Sequence, residues 1–278
     1  MSCSVSVTFA VIGDCEPKPK PVFTELKKSI RAINELNERM GIRFTASVGD
    51  LAHKGSVEQY EALTACLADL WTPFYAIMGN EELMGGRERF FHYCAQWNAD
   101  PQTIPAGRYL FQKAGCLFVF ASAEDDGVTF TEDEIIWLLE QVDKYHDLPV
   151  ILFTHASPPG IYPDAGRRQM RNDLMTSVLQ RPNVCVLFSG HTHFDLATVK
   201  SYVTDSYGVH HIHVPGIERT KVGDTHTPRF RIVTIDNGED VTVRTYNAII
   251  GDFERDLEIR FTLPFRAPRR MHPAEPVE

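Results

Sequence analysis

The sequence predicts an α/β protein whose last third turns mostly to β-structure, and three observations carry that reading. Apolar runs alternate with amphipathic stretches from about residue 4 to residue 190. After Gly190 the amphipathic stretches give way to short alternating segments separated by turn residues. The chain has 278 residues, 43% apolar and 23% charged, an ordinary globular composition long enough to bury a full core.

The elements follow in order. Ser4–Ile12 is an apolar run that reads as a strand. Phe23, Leu26, Ile30, Ile33 and Leu36 recur at helical spacing, and Gly41 is positioned to stop that helix. Phe44–Val48 is a short strand. Ser56-Val57-Glu58-Gln59 has the form of a capping box and opens a helix to about Leu70. Phe74–Met78 and Leu117–Ala121 are strands. Thr131-Glu132-Asp133-Glu134 is a second capping box, opening a helix to about Tyr145. Val150–Thr154 and Val184–Phe188 are strands with a helix expected between them. The later strands are expected near 195–203, 209–214, 229–235, 240–246 and 257–262, with a turn at Asp236-Asn237-Gly238. No repeat or linker interrupts this order, so residues 1–264 read as one domain and 265–278 as a loosely held tail.

Composition narrows the function. There are 28 Lys and Arg against 37 Asp and Glu, a net charge of −9, which disfavours nucleic acid as a partner over the whole surface. No run of 18 apolar residues is present, so no membrane-spanning helix is expected. The six cysteines form no C-x-x-C pair and mostly sit among apolar neighbours, which suggests buried thiols in a reducing cytoplasm. The opening residues read as a strand rather than a leader.

In open α/β sheets, working residues gather at the strand ends. Here the strands end in metal-ligand types: Gly13-Asp14-Cys15-Glu16, Gly49-Asp50, Gly79-Asn80-Glu81-Glu82, Thr154-His155 and Gly190-His191-Thr192-His193. One Gly-Asp pair is a common turn, and one histidine is commonly a bonded core residue. The ordered series is much harder to obtain by chance. Carboxylate and imidazole donors in this combination suit Mn, Fe or Zn more than Ca, with Mg possible.

The series resembles the calcineurin-like metallophosphoesterases, whose signature is Asp-x-His, Gly-Asp-x-x, Gly-Asn-His, His, then Gly-His-x-His. Gly49-Asp50-Leu51-Ala52-His53-Lys54-Gly55 and Gly190-His191-Thr192-His193 are especially similar, and the likeness covers roughly residues 8–215. The resemblance implies a four-layer α/β/β/α sandwich of two mixed β-sheets with two divalent metal ions between them. By position, Asp14 and His193 would hold the first ion, Asn80, His155 and His191 the second, and Asp50 both. It also implies hydrolysis of a phosphodiester or small phosphorylated metabolite by a metal-bridging hydroxide. The alternative on the same fold is a catalytically impaired binding or scaffold protein, against which the retained ligands argue.

Two family histidines are glutamates here. Glu16 is expected to ligate, which makes the first site more anionic and tilts it toward Mn or Mg. Glu81 stands where the family histidine contacts the scissile phosphate. An ionised carboxylate there would repel a phosphate by about 4 kcal/mol at 4 Å and an effective dielectric near 20. Its expected roles are an extra cation ligand, a contact to a cationic or hydroxyl part of the substrate, or a mark of lost chemistry. Asp50, Asn80 and Glu81 are thus the candidate catalytic residues. Arg167 and Arg168, in the loop after His155, and His211, on a late strand, are the candidate substrate contacts. Residues 83–108 read as either an aromatic lid or an amphipathic helix with an aromatic core face.

Overall fold

The computed structural model describes residues 6–97, 107–223 and 225–263. In chain order, β1 (Ser6–Ile12), α1 (Thr24–Met40), β2 (Ile42–Ser47), α2 (Val57–Leu67), β3 (Phe74–Ala76), α3 (Asn80–Met84) and α4 (Arg87–Trp97) form the first part. Then come β4 (Arg108–Lys113), β5 (Cys116–Ala121), α5 (Glu132–Lys144), β6 (Val150–Phe153), α6 (Thr176–Leu179) and β7 (Val184–Ser189). The chain closes with β8 (Tyr202–Thr204), β9 (His210–His213), β10 (Arg229–Asp236), β11 (Asp240–Asn247), β12 (Asp252–Phe253) and β13 (Ile259–Thr262). The expected tail, 265–278, lies outside the described residues.

The strands make two mixed sheets. One runs β12-β11-β10-β1-β2-β3, with β13 on β11, and the other β4-β5-β6-β7-β9-β8. In the first, β1 is parallel to β2 and antiparallel to β10. In the second, β5, β6, β7 and β9 are parallel and the edges β4 and β8 antiparallel. The sheets pack face to face through aromatic rings. Phe9 of β1 stacks on Phe44 of β2 at 4.9 Å and meets Phe118 of β5 edge-on at 5.4 Å. Phe153 and Phe188 continue that layer at 5.3 Å.

Strand alternation then assigns the outer faces. Leu117, Val119 and Ala121 of β5 point away from Phe118 and pack with Ile135, Leu138 and Val142 of α5 and Val178 of α6. On the other side, α1 buries Leu26, Ile30, Ile33 and Leu36. Each such side chain contributes about 1.5–3 kcal/mol of transfer free energy. The result is the four-layer helix–sheet–sheet–helix sandwich expected from the motifs.

Local chemistry sets most element ends. Gly41 closes α1 in the left-handed conformation, its N–H donating to Asn37 O. Thr131 and Glu134 make both bonds of the capping box that opens α5. At α2 only half the expected box forms: Ser56 accepts from Gln59 N, while the Gln59 side chain donates to Pro17 O. Within residues 83–108, helix α4 is the amphipathic alternative over Arg87–Trp97, and 98–106 lie outside the described residues. Phe90 and Cys94 are buried, Tyr93 stacks on Tyr60 at 4.7 Å, and Trp97 Nε1 donates to Thr64 Oγ1. Among the described residues, no helix is long and apolar enough to cross a membrane.

Candidate metal centre

The loops that leave β1, β2 and β3 meet those that leave β6 and β7. Backbone bonds join the first two: Asp14 N donates to Gly49 O at 2.9 Å and Cys15 N to Asp50 O at 2.7 Å. Glu82 ties in the third. Its buried carboxylate accepts from Asp50 N, Leu51 N, Ala52 N and Gly79 N at 2.7–2.9 Å. The sequence carries no signal of this role for Glu82 beyond its place beside Asn80-Glu81.

These loops bring together two ligand groups. Asp50, His155 and His191 form one, and Asp14, Glu16, Asp50 and His193 the other. Within each group the ligand atoms lie within 4.8 Å of one another, and Asp50 belongs to both. Asp14, Asp50, His191 and His193 all have positive φ, between 50° and 65°. Side chains rarely adopt that backbone, and its recurrence at ligand positions marks a site held under strain.

The glycines before the ligand positions make room for side chains of neighbouring loops. A Cβ on Gly79 would strike Asp50 Oδ1 and His155 Cε1, and one on Gly190 would strike Asp14 Oδ2. The left-handed turns fall mostly on the ligands themselves. Gly127, after β5, went unnoticed in the sequence. Its φ is +75° and its Cα lies against the Asn80 backbone, so the second sheet also buttresses that ligand.

The histidines are oriented from behind. His155 Nδ1 donates to Val48 O at 2.8 Å and His193 Nδ1 to Arg219 O at 3.0 Å, since a carbonyl can only accept. Both Nε2 atoms therefore face the cluster. His155 Nε2 lies 3.0 Å from His191 Nδ1. With His155 Nδ1 committed to Val48 O, either a shared proton or a bound metal ion reconciles these two nitrogens. Without a metal a single proton serves. Burial disfavours the charge on His155, but Asp50 and Asp14 draw its pKa up to about 9. Burial and that neighbouring charge push His191 down to about 3.

The carboxylates tell the same story. Burial opposes ionisation of Asp14 and Asp50, yet His193 holds the first well below the usual range and His155 the second at about 2. Burial and then Asp50 push Glu16 up, against the opposing pull of His193 and Arg219. Glu16 Oε2 and Asn80 Oδ1 are buried without a hydrogen-bond partner, and Asp50 Oδ2 and His193 Nε2 face only other site residues, His155 Nε2 at 3.4 Å and Asp14 Oδ1 at 3.0 Å. Donors of lone pairs, gathered in one place, fit two divalent cations. Glu16 thus faces the cluster, with its other oxygen bound to Arg219 Nη2 at 2.6 Å.

Glu81 is occupied by the protein itself. Its Oε1 bonds to Lys18 Nζ, and its Oε2 to His53 Nδ1 and Lys54 N, both at 2.9 Å. Burial works to raise its pKa, but Lys18, Lys54 N–H and His53 hold it below the usual value. The sequence reading gave Lys18 no role.

Of the three expected substrate contacts, His211 is turned elsewhere, while Arg168 lies on a loop tied to the last motif. His211 is fully buried, its Nε2 2.9 Å from Asp205 Oδ2. Its strand position faces it away from the sheet interface that Ile212 enters. Arg168 is exposed, and its carbonyl accepts from Thr192 Oγ1 at 3.4 Å, which ties its loop to the last motif. Arg167 is exposed and lines, with Arg171 and Met170, an open cavity of about 330 Å³. Cys15 is buried with its Sγ toward Gly13 O, and burial pushes its thiol well above the usual range. It is a core residue, as are the other four described cysteines, and none of the five is in a disulfide.

Comparison with known proteins agrees with this geometry. The calcineurin-like phosphoesterase family matches residues 7–195, well over half of the chain, and the protein belongs to that family. The glycerophosphodiester phosphodiesterase GpdQ of Enterobacter lignolyticus is 25% identical over 178 residues. That match covers 59% of this chain and 60% of the relative, so the chain spans well under two thirds of it. A dimetal phosphatase from Danio rerio shares the fold, with a TM-score of 0.71 over 94% of this chain and 99% of that one at 15% identity. So does GAP50, the anchor in the inner membrane complex of Plasmodium, with a TM-score of 0.67 over 95% and 90% of the two chains at 14% identity.

Proposed function

We propose that the protein is a dinuclear metal-dependent phosphoesterase acting on a phosphodiester or another small phosphorylated metabolite. The observation that carries this reading is Asp50, shared by two groups of buried, convergent ligand atoms. Asp14, Glu16, Asp50 and His193 would hold one divalent ion, and Asp50, Asn80, His155 and His191 the other. A pair of such ions lowers the pKa of a water between them and neutralises charge developing on phosphorus. Three carboxylates in one group favour a hard ion, Mn or Mg, over Zn there, with Fe or Zn accommodated by the imidazoles.

The chain's own residues do the rest. Glu82 and Gly127 fix the loops that carry Asp50 and Asn80. Val48 O and Arg219 O hold two imidazoles in the ligating tautomer. Glu81, with both oxygens engaged, is not available as a proton donor, so substrates with good leaving groups suit this site best. The name of the GpdQ relative supports the diester class. Five buried cysteines, none in a disulfide, support a reducing, cytoplasmic location.

The test is hydrolysis of bis(p-nitrophenyl) phosphate by manganese-loaded protein beside Asp50→Ala. Turnover that falls to background in the variant is the expected result. Equal rates in the two proteins, or none in the metal-loaded wild type, would sink the proposal.

A further inference from the structure

Glu81 would repel a phosphate if it stood bare beside the metal groups. It does not stand bare. The Lys18 ammonium bonds to Glu81 Oε1 and lies 3.7 Å from Glu16 Oε1, so it sits between the two glutamates that replace family histidines. The Lys18 side chain is 27% exposed, whereas Glu16 is fully buried and Glu81 nearly so. Lys18 and Arg219, whose side chains are 27% and 32% exposed, are the cations through which these carboxylates face solvent.

Its geometry leaves it capacity for a ligand. An ammonium has three N–H donors. Glu81 takes one, and 3.7 Å to Glu16 is an ion pair without a hydrogen bond. Arg219 is the other cation on this side; it is paired with Glu16, through Nη2 at 2.6 Å, and Lys18 is the one paired with Glu81. On the far side of Glu81, His53 and Lys54 N grip the second oxygen, so the carboxylate cannot swing and Lys18 is held at the edge of the cluster.

Resting on the phosphoesterase reading, we propose that Lys18 is a substrate-binding residue that contacts the phosphate oxygens, with Glu81 and His53 as its positioning residues. The cation that a histidine would supply from β3's end comes instead from the loop between β1 and α1. Glu81 is then a tether for a lysine rather than a damaged catalytic group.

The experiment measures inorganic phosphate binding to manganese-loaded protein by calorimetry, with bound manganese counted by elemental analysis. Lys18→Met should weaken phosphate binding about ten- to a hundredfold, the worth of one hydrogen bond to a charged group, and leave the manganese count unchanged. Lys18→Arg should restore most of the affinity. The double variant Lys18→Met with Glu81→Gln separates contact from mere neutralisation, and it leaves no lone buried charge at position 81 if the single variant folds poorly. Phosphate binding that stays weak in the double variant supports a direct Lys18 contact. Recovery to the wild-type affinity would overturn it, because Lys18 would then serve only to neutralise Glu81. Wild-type affinity in Lys18→Met overturns it equally while leaving the phosphoesterase reading intact. Failure of that reading looks different: the wild type itself would bind less than two manganese ions and hydrolyse nothing, and both proposals would fall.

Discussion

At Gly79 one missing methyl group decides whether two loops can share a metal group. A Cβ there meets Asp50 and His155 at once, and neither can retreat, because Glu82 and Val48 O anchor them from behind. Gly115 makes the control. Its φ is +76°, yet a Cβ would meet nothing within 4 Å. Gly115→Ala should destabilise the fold by about 1 kcal/mol from backbone strain alone and bind its full complement of manganese. Gly79→Ala should lose roughly 1–3 kcal/mol to overpacking and also lose metal. Thermal unfolding with elemental analysis reads both; a Gly79→Ala protein with two tightly bound ions would refute the packing argument. The strand-end series and its likeness to the family singled out Asp14, Asp50, Asn80, His155, His191 and His193 in the sequence, and of these Asp14, Asp50, His155, His191 and His193 fall in the two candidate groups. Lys18, Glu82 and Gly127 were not legible. Their work depends on which loop lies across from which, and a lysine in a Lys-Pro-Lys-Pro loop carries no periodic signal.

At the scale of the element, the helices and strands that sequence periodicity located well are those stabilised locally. Helix α1 has its apolar stripe and its glycine stop, and α5 its capping box. Elsewhere, side chains overrode the pattern. The strand expected over 195–203 shrinks to β8, because Asp195 accepts from Ala197 N and Thr225 N and bonds to Arg229, drawing the chain into a turn. The helix expected between β6 and β7 shrinks to α6, since Pro158, Pro159, Gly160, Pro163 and Gly166 break its first half. Strand β4 was missed because its hairpin turn is Ala114-Gly115, with φ of 51° and 76°, where Asn-Gly is the usual signal. Helix α1 also depends on a distant residue. Phe23 gives it no side-chain cap, and Glu218 fills that place by accepting from Glu25 N and Leu26 N at 3.1 and 3.0 Å. Burial pushes the Glu218 carboxyl up to about 7, with Glu25 and Glu16 adding to the rise. The folded protein thus holds that proton more tightly than the unfolded chain does. Stability from this group is greatest below about pH 4.5, declines as pH rises to 7, and is flat above. Glu218→Gln keeps an accepting oxygen and removes the titration. It should match the wild type near pH 4.5 and exceed it at pH 8 by on the order of 1 kcal/mol, discounted because the half-buried group is partly screened. Equal melting temperatures at pH 8 would place the ionised carboxylate comfortably at the helix end and defeat the argument.

Across the whole molecule, the ligands are divided between the sheets. Asp14, Glu16, Asp50 and Asn80 follow β1, β2 and β3 of one, and His155, His191 and His193 follow β6 and β7 of the other. Each ligand group draws from both sheets, so a bound cation would clamp the sandwich at the strand ends. The sandwich does not need the clamp to form. Its interior is a continuous aromatic layer from Phe44 through Phe9 to Phe153 and Phe188, and its two helical faces are separately packed. Chelation should therefore leave a folded protein with a lower melting temperature, not an unfolded one. At a free manganese concentration 100 times Kd, one site adds about 2.7 kcal/mol, which for a chain of this size is about 5–10 °C. The rise should be largest in wild type and reduced in Asp50→Ala, which loses a ligand from both groups at once. His211→Ala, distant from the clamp, should lower the melting temperature of the chelated and loaded proteins alike. A melting temperature indifferent to millimolar manganese would mean that the two sheets are not joined by metal, and would remove the physical basis for reading the clustered oxygens and nitrogens as a ligand set.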